Sequence, residues 1–63
     1  MEGPGIPNWP FVDIGYTAQL FDIVFSIQQT FGPAGWDEQW NHLGPVFYFR
    51  NEADLMFFQL KIA

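Results

Sequence analysis

Sixty-three residues suffice for one domain at most, and a chain this short buries only about 60% of the surface its unfolded form exposes, so its core needs help or unusually large side chains. Cysteine is absent and histidine occurs once, which excludes disulfides, Cys-based zinc sites and thiol nucleophiles and leaves too few ligands for a His-based metal centre. Seven acids stand against Arg50 and Lys61, for a formal net charge of −5; nucleic-acid backbones demand several Lys or Arg contacts, so direct nucleic-acid binding is not expected. The acids are scattered along the chain, which does not suit a dense anionic surface and leaves room for a basic partner. No apolar run approaches the roughly 18 residues of a membrane span, and the N-terminus lacks the basic and apolar regions of a secretory signal, so the expectation is a cytoplasmic protein with no membrane partner. What stands out is area: eight Phe, three Trp and two Tyr are more large apolar surface than one small core readily hides.

Residues 1–10 (MEGPGIPNWP) hold three prolines and two glycines without periodicity, and read as an extended arm ahead of a single domain over residues 11–63. Over residues 16–31, Tyr16, Leu20, Ile23, Val24, Ile27 and Phe31 recur at helical spacing against a polar side of Gln19, Asp22, Ser26, Gln29 and Thr30, which predicts an amphipathic helix. Thr17 or Asp13 is available to cap its start, and Gly32 followed by Pro33 is the expected stop. Phe21 and Phe25 widen the apolar arc to about 200°, roughly twice what one small sheet requires, so both are candidates for a contact with the arm or with a partner.

After a GPAG turn, Trp36, Trp40 and Leu43 fall at i, i+4 and i+7, which predicts a short second helix over residues 36–43, ended by Gly44 and Pro45. Residues 46–50 alternate as a strand. Residues 51–57 are open to two readings, a short helix capped by Asn51 or a hairpin loop. Phe58, Leu60 and Ile62 alternate with Gln59 and Lys61, which predicts a closing strand over residues 57–62. The fold class that follows is α+β: two helices packed on a small antiparallel hairpin.

Nothing in the sequence builds a reaction. Glu38 and His42 at i, i+4 are two ligands without a third; Asp37 and Glu38 point about 100° apart on a helix and suit its positive end; Glu52 and Asp54 suit a cap or turn; Ser26 and Thr30 have no nearby base. The glycines form neither a dinucleotide fingerprint nor a phosphate loop. A non-enzymatic role without cofactors is therefore expected. Aromatic side chains dominate interface energetics, and the candidate partner-binding residues are Trp9, Phe21, Phe25, Trp36 and Trp40, directed at another protein or at a second copy of the chain.

The segment FYFRNEADLMFFQLK, with Trp36 or Trp40 upstream, resembles the C-terminal pattern of small proteins of tailed bacteriophages: an aromatic strand (residues 47–49), an acidic turn (residues 51–54) and an F-x-L-K/R ending (residues 58–61). The likeness covers about 25 residues; such proteins often end in an aromatic, where this chain has Ile62 and Ala63. It implies a phage-encoded accessory protein acting in the host cell or carried in the virion, a class that includes host-protein inhibitors and small virion components. The leading expectation is a protein that binds and modulates a host protein; the alternative is a structural component or homo-oligomer assembled through the N-terminal arm.

Overall fold

Alternation of large apolar residues along residues 46–49 puts the Phe47 and Phe49 rings on one side of an extended chain and Val46 and Tyr48 on the other, and that segment forms the central strand of the molecule. In the computed structural model, which describes residues 7–62, strand β1 (Phe11–Asp13), helix α1 (Leu20–Phe31), strand β2 (Trp40–Leu43), strand β3 (Val46–Phe49) and helix α2 (Glu52–Ile62) follow in that order. The strands make one antiparallel sheet in the order β1-β3-β2. The expected α+β class is therefore present. Residues 1–6 of the expected arm, and residue 63, lie outside the described residues.

Pairing of Trp40 with Phe49, and of His42 and Val12 with Phe47, gathers these side chains on one face of the sheet. Both helices pack on that face. Ile27 of α1 and Leu55 and Phe58 of α2 join Trp40, Phe47 and Phe49 in the buried core. The Phe58 ring lies 4.8 Å from Phe47 and 5.2 Å from Phe49. Phe31 meets Phe49 edge-on at 5.6 Å and, on its other side, Phe57 at 6.0 Å. Among the described residues no charged or polar side chain is buried. The sheet ladder runs past β1 at both ends, where Phe49 donates to the Pro10 carbonyl and Ile14 to that of Pro45, each at 3.0 Å.

Four local expectations are corrected. The first helix begins at Leu20, not Tyr16: Thr17 Oγ1 accepts the Gln19 amide and Asp13 Oδ1 the Gly15 amide, so both proposed caps stabilise turns ahead of the helix instead. Its end is as expected, with Gly32 at positive φ donating back to Gln28.

Residues 36–43 are not a helix. Residues 36–39 form turns and Trp40–Leu43 is a strand, because Gly44 and Pro45 act as a two-residue hairpin loop joining paired Leu43 and Val46. Gly44 has φ +59, and glycine at the first central position is the signature of a turn whose twist matches the flanking strands.

The expected strand over residues 57–62 is helical, continuing the helix that begins at Glu52. The amides of Asp54 and Leu55 bond to the Asn51 carbonyl, acids occupy the first turn and Lys61 the last, and Ile62 is the only β-branched residue of the segment, so both dipole and propensity favour a helix. Finally, Phe11–Asp13 supplies a third strand that the periodicity did not reveal, since three residues are too few to show alternation.

Candidate protein-binding surface

The five aromatic residues singled out by sequence go to three different places. Trp40 belongs to the core: it is fully buried, stacks on Phe47 at 6.0 Å and Phe49 at 6.3 Å, and its indole Nε1 donates to the Gly32 carbonyl at 2.9 Å. As a contact residue for a partner it is withdrawn, for the physical reason that the strand pairing aims it under the helices. The bond to Gly32 also ties the C-terminal end of α1 to the sheet.

Trp9 and Trp36 come together on the other side. Alternation along β3 directs Tyr48 away from the helices, with Phe11 of β1 beside it. Trp36 stands edge-on to Tyr48 at 5.2 Å and to Trp9 at 5.4 Å, and Phe11 lies 5.6 Å from Tyr48. The Arg50 guanidinium sits 4.8 Å above the Trp9 ring. Its Nε donates to the Glu38 carbonyl at 3.0 Å and its Nη2 to that of Trp36 at 3.2 Å, so one cation fastens the arm, the loop before β2 and the end of β3. The result is an aromatic layer over the face of the sheet that carries no helix, with Trp9, Trp36 and Tyr48 half-buried and Phe11 exposed.

Phe21 and Phe25 occupy the third place. They sit one turn apart on the flank of α1 directed away from Ile27, and are 83% and 63% exposed. Tyr16, just ahead of the helix, is equally exposed, and its hydroxyl lies where a side chain at Gly44 would begin. Residues 7–10 do not reach this flank: Trp9 is on the sheet side, so the expected contact of Phe21 and Phe25 with the arm is not made by its described part.

Helix α2 adds exposed apolar side chains that were not among the expected contact residues: Met56, in the segment left open between helix and loop, and Phe57 and Leu60, in the expected strand. Their signal was present at i, i+1 and i+4, but only Leu60 entered a reading, in the alternation with Phe58 and Ile62. Phe11, Tyr48 and Arg50 were likewise overlooked as surface residues, because their role depends on a sheet pairing rather than on local pattern.

Polar chemistry is sparse. A groove of about 480 Å³ runs between α1 and the end of α2, lined by buried or half-buried Ile23, Ile27 and Ile62 with exposed Gln19, Asp22 and Lys61. His42 lies beside Trp40 and Phe47, its ring near-parallel to both at 5.7 and 5.4 Å, and its Nδ1 donates to the Gly44 carbonyl at 3.1 Å; Glu38, its supposed helical neighbour, is in the loop. Among the described residues no group of three or more His, Cys, Asp or Glu is placed to hold a metal ion, and no helix is long and apolar enough to cross a membrane. Comparison with protein-family models, curated proteins and solved structures finds no match for the chain. The case for function therefore rests on this surface.

Proposed function

We propose that the protein is a non-enzymatic binding protein that holds and modulates another protein through exposed aromatic side chains, with Phe21 and Phe25 as the principal contacts and the Trp9 and Trp36 layer as a second, partly covered one. The observation that carries this reading is the exposure of Phe21 and Phe25 side by side on a helix whose opposite flank already supplies the core. Two exposed phenylalanines one turn apart bury much area at little entropic cost when a partner covers them, which is how aromatic anchors act at interfaces. The net charge of −5 steers the chain toward a basic partner surface. On the resemblance of its C-terminal segment, we place the chain among phage-encoded accessory proteins acting on a host protein.

The test is capture from a bacterial host lysate by the tagged full chain, run beside a Phe21→Ser/Phe25→Ser variant shown by circular dichroism to be folded. One protein retained in stoichiometric amount by the parent chain and lost with the variant supports the reading. Equal capture by both, or none by either, overturns it. The alternative, assembly through the N-terminal arm, finds less support: Trp9 and Pro10 already bond and pack within their own chain, and those contacts would have to be exchanged between copies.

A further inference from the structure

Helix α2 is apolar on two sides. Leu55, Phe58 and Ile62 face the core, while Ala53, Met56, Phe57 and Leu60 recur at i, i+3, i+4 and i+7 on the opposite side and are exposed. At 100° per residue these four span an arc of about 100°, directed away from Phe58, which is the width of a helix-to-helix seam. Met56 is 59%, Phe57 49% and Leu60 77% exposed, and Phe57 is held in place from below by its edge-on contact with Phe31.

We infer that this stripe is a self-association face, on which α2 of a second copy packs antiparallel about a two-fold axis between Met56 and Phe57. This surface is separate from the Phe21 and Phe25 flank and goes beyond the proposed function. Three features of the sequence of α2 select a second copy as the occupant, and the antiparallel sense. Reversal about that axis sets the smallest residue of the stripe, Ala53, against the most exposed large one, Leu60 of the second copy, and Met56 against Phe57, so volumes complement each other as an isologous contact requires. A two-fold of this kind brings like flanks together. Asp54 and Lys61 share one flank, about 20° apart on the wheel, and reversal brings each half-buried Asp54 near Lys61 of the second copy, twice per dimer. Glu52 and Gln59 share the other flank and meet in the same way. Parallel pairing would instead place Ala53 on Ala53, leaving a gap, and Glu52 beside Asp54, which repel. The net charge of −5 per copy opposes association, but the stripe itself carries none of it, and charges beyond about 8 Å are screened at physiological salt. Four side chains per copy cover less than the roughly 800 Å² per partner of a standard interface, so the expected dimer is weak and depends on concentration.

The experiment is sedimentation equilibrium of the full chain from micromolar to millimolar concentration, with disulfide trapping as its geometric arm. A monomer-to-dimer transition is expected, abolished by Leu60→Glu and retained by Trp36→Ala. Leu60 is so exposed that the Leu60→Glu chain keeps its circular dichroism spectrum. Lys61→Asp weakens the dimer several-fold, and Asp54→Lys combined with Lys61→Asp restores it. The chain has no cysteine, so a mixture of Ala53→Cys and Leu60→Cys chains reports orientation directly: oxidation yields the mixed disulfide in preference to either symmetric one. A monomer at millimolar concentration, a dimer that survives Leu60→Glu, or symmetric disulfides alone would overturn the inference. Because Leu60→Glu leaves Phe21 and Phe25 intact, partner capture by that variant is unchanged if the proposed function holds, which separates failure of one reading from failure of the other.

Discussion

Trp36 and Trp40 stand four residues apart and end on opposite faces of one sheet. Trp40 lies beneath the helices, stacked on Phe47 and Phe49 with its indole nitrogen bonded; Trp36 lies over the bare face, half-buried between Trp9 and Tyr48. Among the described residues, the covered face is closed by two helices and holds every fully buried side chain of the core, whereas the bare face is covered only by loop, arm and one guanidinium. Residue type is the same in both places. What differs is how many layers lie above it, and stability should follow the layers.

The largest test of that comparison is Trp40→Ala. Removing a fully buried indole leaves a large cavity and orphans the Gly32 carbonyl, a loss of about 3–5 kcal/mol. A core of this size rarely supplies more than about 3–5 kcal/mol in total, so the variant should be largely unfolded at 25 °C, with its near-ultraviolet dichroism lost. A folded Trp40→Ala chain would mean that the helix layer is not where the stability resides.

Gly44→Ala comes next. Gly44 has φ +59, and an added Cβ would sit 2.9 Å from the Tyr16 hydroxyl. Strain at such a site costs on the order of 1–3 kcal/mol, although Tyr16 is exposed and can swing away. The hairpin also sets the register that sends Trp40 one way and Tyr48 the other, and a slip of one residue would exchange the faces. A fall in the urea midpoint with an unchanged slope is the expected result.

Trp36→Ala should cost less, about 1–2 kcal/mol, the worth of two aromatic edge contacts and partial burial. The chain remains folded, and Trp9 loses its neighbour, so a shift of its fluorescence toward that of a solvated indole is expected. A cost equal to that of Trp40→Ala would erase the distinction between the faces.

This same distinction explains what the sequence could and could not convey. Helix α1 was legible because one flank faces a core and the other faces solvent, so a period of 3.6 survives in the residues, and Gly32 with Pro33 marks its end. Helix α2 was legible only as one of two readings of its first half, residues 51–57, because Leu55, Phe58 and Ile62 face inward while Met56, Phe57 and Leu60 face outward. Apolar residues on both sides cancel the helical period, and a fragment of alternation at residues 58–62 took its place. Trp36, Trp40 and Leu43 imitated a helix face by spacing alone. The deciding information was the Gly44 and Pro45 pair, a hairpin loop when strands flank it and a helix stop when they do not. Of the candidate site, the width of the α1 arc marked Phe21 and Phe25 as surplus to one small sheet without deciding between the arm and a partner, whereas the fates of Trp9, Trp36 and Trp40 depended on long-range pairing that no local pattern records.

The smallest expected effect falls on residues that belong to neither sheet face. Phe21 and Phe25 point away from Ile27 and the core, so replacing both with serine removes little packing and exposes no cavity. Serine and phenylalanine have about equal helix propensity, and less apolar area meets water in the folded chain. The change in stability should therefore stay within about 0.5 kcal/mol, as for surface substitutions generally. Thermal melts of the parent and double-serine chains at equal concentration measure it. A loss well beyond that would mean that the two rings already have a partner within the molecule, and the α1 flank would cease to be a free surface. Stability that holds while partner capture is lost would instead separate binding from folding in these two residues, as the layering of the fold requires.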